Sequence, residues 1–224
     1  MKKAISMLSV VIVALFCFCT AQANTVTVDF ENLPALPTQP NNFAAAGPMQ
    51  TYSQSGVFSI SGGVVLGNPT FLTSFAAQGS PPNLYGTTDF ADPSLLSTIT
   101  LDLPAAAKTT SVSGVLFNGQ TIPEDYEVDY FSGGSLLASQ PFLDVQEDFT
   151  ANGFRAFSFS TGLANPITRV TVTTPNADLN GWDFFVDTLV LTQNPSAAVP
   201  EPATMLLLGS GLIGLWGVIR KFKK

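Results

Sequence analysis

Between residues 24 and 195 apolar and polar positions alternate in short runs of period two, and no stretch sustains the spacing of an amphipathic helix. Thr25 to Phe30 places Val26, Val28 and Phe30 on one face. Ser97 to Leu103 does the same with Ile99, Leu101 and Leu103, and stops at Pro104. The same pattern predicts strands at Val57 to Ile60, Val64 to Leu66, Ser111 to Asn118, Tyr126 to Phe131, Ser135 to Ala138, Phe154 to Ser160, Ile167 to Thr174 and Phe184 to Thr192. Asn118-Gly119, Gly133-Gly134, Asn152-Gly153 and Asn180-Gly181 supply the positive-φ positions that tight turns need, and Gly133-Gly134 marks the firmest hairpin. Two stretches rich in Pro, Ala, Asn and Gln, Leu33 to Ser55 and Phe71 to Pro93, read as ordered surface loops. Short strands without a long helix predict an all-β fold, an antiparallel two-sheet β-sandwich of the jelly-roll kind over residues 24–195.

The two ends break the pattern. Lys2 and Lys3 precede an almost unbroken apolar run from Ile5 to Cys19, and Ala21-Gln22-Ala23 places small residues where signal peptidase cuts. Residues 1–23 therefore read as a secretory signal peptide, which also removes both cysteines, Cys17 and Cys19, from the exported chain. After a spacer beginning near residue 196, Pro200-Glu201-Pro202 leads into a charge-free apolar stretch at about 203–219, followed by Arg220, Lys221, Lys223 and Lys224. Such a stretch is long enough to cross a thin bilayer as a helix, and the basic cluster behind it stays cytoplasmic. The preceding body then faces outward across the inner membrane.

Pro-Glu-Pro, a glycine-containing apolar helix and a terminal basic cluster, in that order over residues 199–224, resemble the PEP-CTERM sorting signal of Gram-negative bacteria. The resemblance implies recognition and cutting by an integral-membrane exosortase near Pro200, Glu201 and Pro202. It further implies release or re-anchoring of the body at the cell surface, in bacteria that make exopolysaccharide, biofilm or flocs. Physically, two prolines hold an extended stretch just outside the membrane, where a protease can bind it.

Composition sharpens this picture. The 224 residues contain no His, which closes Ser-His-Asp and Cys-His catalysis and His-ligated zinc. Six of the nine basic residues lie in the two ends. Between residues 24 and 199 only Lys108, Arg155 and Arg169 face fifteen carboxylates, a net charge of −12 that repels nucleic acid and attracts cations. A solvated acidic surface explains most of these side chains.

Two acidic groups suggest more. The opening run Val28-Asp29-Phe30-Glu31 and the closing run Asp183 to Asp187 belong to first and last strands, which often lie side by side in a jelly roll, so that Glu31 and Asp187 approach each other. Close carboxylates repel unless they are protonated or bridged by a cation such as Ca²⁺. The Asp-Phe-Glu start with an Asp in the last strand is similar to carbohydrate-binding β-jelly-roll modules, which carry a structural calcium built this way. The second group, Asn176, Asp178, Asn180 and Gly181 with Asp187 eleven positions after Asn176, has the oxygen-ligand spacing of an EF-hand-like loop. Asn in place of the first Asp, Asp in place of the final Glu and strand-like flanks leave an ordinary hairpin turn as the competing explanation.

Exposed aromatic rings are the other route to function, because a sugar presents an apolar C–H face that stacks on them. Tyr52 and Tyr85, in the two predicted loops, are the candidate sugar-binding residues, whereas Trp182, Tyr126 and Tyr130 read as core. Glu124, Glu127 and Glu147 are the acids available to a glycosidase, which needs two carboxylates and no His, but no motif singles out a nucleophile. The expectation is a non-catalytic surface or matrix protein, structural or adhesive among extracellular polysaccharide. A carbohydrate-binding module with structural calcium is the alternative, and a glycosidase the third reading.

Overall fold

The computed structural model describes residues 23–31, 33, 36–37, 50–67, 79–80, 83–88, 97–147, 152–175 and 182–194. The predicted signal peptide up to residue 22, the predicted spacer with Pro200-Glu201-Pro202, the apolar stretch after it and Asn176, Asp178, Asn180 and Gly181 lie outside these residues. Among the described residues no helix is long and apolar enough to cross a membrane.

The period-two runs become strands β1 (Asn24–Val28), β2 (Leu36–Pro37), β3 (Gln50–Gln54), β4 (Phe58–Gly67), β5 (Asn83–Thr87), β6 (Thr98–Asp102), β7 (Thr109–Asn118), β8 (Glu124–Ser132), β9 (Ser135–Val145), β10 (Phe154–Ser160), β11 (Arg169–Thr173) and β12 (Phe184–Gln193). The only helical turn among the described residues is a 3₁₀ turn at Ala105–Ala107. Hydrogen bonding connects the strands in the order β10-β7-β12-β5-β4-β6-β11-β8-β9, with β1 on β12 and both β2 and β3 on β4. All pairings between these strands are antiparallel except β2 with β4. The two ends of the path, β9 and β10, lie against each other, so the sheet nearly closes on itself. Tyr130 of β8 packs on Phe159 of β10 with ring centroids 4.8 Å apart across this closure.

β4 holds the path together. Its first half pairs with β6 through Ser59, Ile60 and Ser61, and its second half pairs with β5 from Val64 to Gly67. Two predicted strands, Val57 to Ile60 and Val64 to Leu66, are thus one strand that turns a corner. Gly62 sits at the corner with φ 96°, where a Cβ would stand 2.0 Å from the Thr98 carbonyl oxygen. Only glycine fits both the backbone conformation and the approach.

Inside the fold, Phe58, Ile60, Ile99, Leu101, Val128, Tyr130, Val170 and Val172 from one side of the corner meet Val112, Leu116, Phe157, Phe184, Val186, Leu189 and Leu191 from the other. A second cluster of Val64, Leu66, Leu84, Phe117, Trp182 and Phe185 gathers residues of β4, β5, β7 and β12 apart from that core. β5 is consequently buried at every position, including Asn83 and Thr87. That burial explains why Phe71 to Pro93 read as a loop: a strand enclosed on both faces carries no alternation, and Asn, Gly and Thr masked it further. β3 lies inside the other predicted loop because Thr51, Ser53 and Gln54 present polar side chains to solvent. Gly133 and Gly134, with φ 56° and 94°, form the expected two-residue turn between β8 and β9.

Gly62→Ala should destabilise the protein by about 3 kcal/mol or more, since it adds backbone collision to left-handed strain. Gly133→Ala, with equal need for positive φ but open space around its Cβ, should cost about 1 kcal/mol. Urea unfolding midpoints compare the two, and equal losses would contradict the corner's role.

Candidate functional site

β1 pairs along β12 from Asn24 opposite Gln193 to Val28 opposite Leu189, so the first and last strands do lie side by side. Each becomes irregular where a carboxylate leaves it. Beyond β1, Phe30 adopts φ 62°, and its buried ring stacks on Tyr85 at 5.5 Å. In β12 the register with β7 shifts between Asp187 and Val190, and Thr188 adopts φ 50°. A left-handed β-branched residue is a backbone outlier of order 1–3 kcal/mol, tolerated where surrounding contacts enforce it.

Those contacts converge on a short segment. The Ser80 backbone N–H donates to Asp187 Oδ2 at 2.5 Å, and its hydroxyl lies 3.1 and 3.0 Å from Asp187 Oδ1 and Oδ2. Thr188 Oγ1 adds a contact at 3.2 Å to Oδ2. Glu31 Oε1 accepts from the Asn83 backbone N–H at 3.3 Å. Asn83 Nδ2 donates to the carbonyls of Phe30, Glu31 and Leu33 at 2.9, 3.4 and 3.3 Å. Ser80 thus holds Asp187, and Asn83 holds Glu31.

Burial pushes Asp187 up to about 6 despite the Ser80 and Thr188 hydrogen bonds, which favour its ionised form. Glu31 is raised as well, chiefly by burial, with the Asp29 charge adding to it against the Asn83 and Ser80 bonds. The donors on Asp187 occupy the oxygens that a cation would take, so calcium at this pair requires Ser80 to turn away. Among the described residues no three acidic side chains gather in metal-ligating geometry.

Beside this knot a cleft of about 210 Å³ opens, lined by Asp29, Phe30, Tyr52, Gln54 and Phe58 among others. Tyr52 is half-buried, with its ring set edgewise to Phe58 at 5.4 Å and to Phe30 at 6.3 Å. An aromatic ring flanked by a carboxylate and an amide can meet both the C–H face and the hydroxyls of a sugar. Tyr85 is placed differently from the sequence expectation. It lies in β5 with no exposure, its hydroxyl donating to the Gln50 carbonyl and accepting from the Gly63 N–H at 3.0 Å. Burial drives its hydroxyl up to about 12. Its ring is core, because β5 is enclosed on both faces, and it offers no surface to a ligand.

Of the glycosidase candidates, Glu124 is buried on the inward face of β8 and Glu127 is exposed on the outward face, so the two cannot flank one bond. Glu147 follows the end of β9. Trp182, Tyr126 and Tyr130 are buried, as their sequence context indicates. Ser80, Asn83 and Gln54 escaped sequence reasoning. Ser80 and Asn83 flank two prolines in a segment that reads as loop, and nothing local marks either as a partner of residues some fifty or a hundred positions away.

Residues 198–221 match the PEP-CTERM protein-sorting motif. No curated protein matches the chain. Among solved structures, the K2 cleaved adhesin domain of Lys-gingipain is similar at 12% identity and TM-score 0.43, over 75% of this chain and 99% of that one. TmCBM61, solved with β-1,4-galactotriose, is similar at 13% identity and TM-score 0.37, over 70% and 99%. The family 29 carbohydrate-binding module CBM29_1 of Piromyces equi follows at 10% identity and TM-score 0.36, over 76% and 91%.

With a folded-state value of about 6 against an ordinary 3.8, Asp187 holds its proton more tightly in the folded chain than in the unfolded one. Its contribution to stability is complete below about pH 4 and is lost as the pH rises through about 6, to the extent of about 3 kcal/mol. Asp187→Asn removes the titration but keeps the side chain's shape. The stability difference between wild type and Asp187→Asn, from urea unfolding at pH 4 to 7, should therefore shift against the wild type as pH rises. A difference constant with pH contradicts the burial of this carboxylate.

Proposed function

We propose that this chain is an exported, non-catalytic component of an extracellular polysaccharide matrix, with a structural or adhesive role, whose body is a two-sheet jelly-roll sandwich. The observation that carries the reading is the PEP-CTERM motif at 198–221 joined to an all-β body. The motif marks the chain for export and exosortase processing, and it is the address of a protein that works at or beyond the cell surface. In this reading signal peptidase removes residues 1–23, the stretch at 203–219 holds the chain briefly in the inner membrane, and exosortase cuts near Pro200-Glu201-Pro202. Absence of His and the opposed faces of Glu124 and Glu127 support a non-catalytic body.

The second reading is a carbohydrate-binding module, favoured by the cleft in which Tyr52 meets Asp29 and Gln54. In it a sugar ring lies on Tyr52 and its hydroxyls reach the neighbouring carboxylate and amide. A structural calcium belongs to this reading, held either by Glu31 and Asp187 or by the EF-hand-like set of Asn176, Asp178, Asn180 and Asp187. The raised values of Glu31 and Asp187 support it, because a cation would relieve both.

Mass spectrometry of the protein from its native host should find a mature chain that starts near Asn24 and lacks Lys221 to Lys224. Replacing Pro200 and Glu201 by Ala should leave those lysines in place, and their retention in the wild type contradicts exosortase processing. On a glycan array the wild type should give a selective, saturable signal if the second reading holds. Tyr52→Ala should then weaken it about tenfold, the scale of one lost stacking contact, and an unselective array returns the protein to the matrix role alone. After chelation, Ca²⁺ should raise the melting temperature of the wild type but not of Glu31→Gln; no heat and no shift remove calcium.

A further inference from the structure

The strands beyond the corner present an outer face whose rows follow from the register. Ser53, Ser59, Asp102, Arg169, Phe131 and Leu136 stand opposite one another in succession across β3, β4, β6, β11, β8 and β9. The neighbouring row reads Ser61, Thr100, Thr171, Asp129 and Ser139. None of these side chains is in the apolar core, and the face they make is rich in hydroxyl groups. A groove of about 440 Å³ runs over it between Asp102, Phe131, Arg169, Thr171 and the Gly133-Gly134 turn, within the range of small-ligand sites.

The chemistry of the groove is specific. Arg169 Nε donates to Asp102 Oδ1 at 2.7 Å, and this contact engages one nitrogen of the guanidinium and one oxygen of the carboxylate. Both Nη groups of Arg169 and Oδ2 of Asp102 have no hydrogen-bond partner among the described residues. They form a planar set of donors beside an acceptor, an arrangement suited to adjacent hydroxyls on a pyranose ring. Phe131 stands directly across from Arg169, and the exposed Leu136 lies beyond it, so an apolar surface borders the polar pair. The Gly133-Gly134 turn forms one wall of the groove with backbone alone, since neither glycine carries a side chain. Thr168 fixes its position by accepting from the Gly133 N–H at 2.8 Å and donating to the Phe131 carbonyl at 3.3 Å. In the adjacent row Asp129 Oδ1 is closed off from solvent and accepts no hydrogen bond among the described residues.

We propose that this outer face is a second saccharide site, separate from the Tyr52 cleft, in which a neutral pyranose ring lies on Phe131 and its adjacent hydroxyls bind Asp102 and Arg169. It rests on the carbohydrate-binding reading and extends it to a second surface. The ligand is neutral because Asp102 already balances Arg169, and a body of net charge near −12 repels uronates. The next sugar along the chain meets Thr171 and Asp129, so the face suits a polysaccharide better than a monosaccharide. Two sites on one body would let it cross-link chains, which is the mechanical requirement of a matrix component.

Calorimetry on the full-length chain in detergent, with gluco-, manno- and galacto-configured neutral hexaoses and a uronate hexaose, tests this. At least one neutral hexaose should bind, and Phe131→Ala and Arg169→Ala should each weaken the outer-face site about tenfold. Phe131→Tyr should retain binding, and Tyr52→Ala should leave this site intact. Arg169 is exposed, so Arg169→Ala carries the test if Phe131→Ala fails to fold. Binding that is lost in Tyr52→Ala and unchanged in Arg169→Ala overturns the second site while keeping the first. Absence of binding by every hexaose overturns both, and preference for the uronate overturns the neutral class.

Discussion

At Gly62 the backbone of β4 comes so close to the Thr98 carbonyl that no side chain fits, and around this approach the sheet changes direction. The same strand pairs with β6 before the corner and with β5 after it. Along the path, β6, β11, β8 and β9 are linked through its first half, and β5, β12, β7 and β10 through its second. The corner therefore sets how the two faces of the core meet. A bend at this point also explains why the apolar run of β4 continues through Val64, Val65 and Leu66 without alternation, for these residues serve both the central core and the second apolar cluster.

The two halves have different consequences for function. Around β5 the sheet is enclosed, and its Asn83 ties down the chain after β1 and bonds Glu31, while Ser80 just before it holds Asp187. That knot holds first and last strands together at the place where both leave regular geometry, with Phe30 and Thr188 held in left-handed conformations beside it. Beyond the corner the inward residues are mostly apolar and the outward ones mostly Ser, Thr and a few charges, with Phe131 and Leu136 among them, so a broad and largely polar face remains on the surface. The saccharide surfaces inferred here lie at the mouth of the knot and on that face, each built from an aromatic ring beside hydroxyl-binding groups.

How far the sequence discloses this depends on whether a residue's role is local. Strands with one wet face, such as Thr98–Asp102 and Arg169–Thr173, are legible because alternation records their surroundings directly. The side-by-side course of β1 and β12 was legible too, through the expectation that first and last strands pair. β5 was not, since enclosure on both faces erases the period, and with it went Tyr85, whose place in a predicted loop suggested a surface that its strand does not have. Ser80 was invisible for a different reason: its partner is 107 positions away and nothing about a serine before two prolines announces it. The row from Ser53 to Leu136 likewise exists only through register across six strands. By contrast, the sorting motif is read from contiguous residues and needs no fold to be recognised.

A surface protein that holds neutral polysaccharide by stacking and hydroxyl recognition should behave differently from one that adheres by charge. Co-sedimentation of the natively processed protein with the exopolysaccharide of its own producer separates the two. Saturable binding that persists at about 1 M salt, where charge attraction is screened to about 3 Å, and that is displaced by a neutral hexaose is the predicted result. No retention, or release by salt alone, would contradict it.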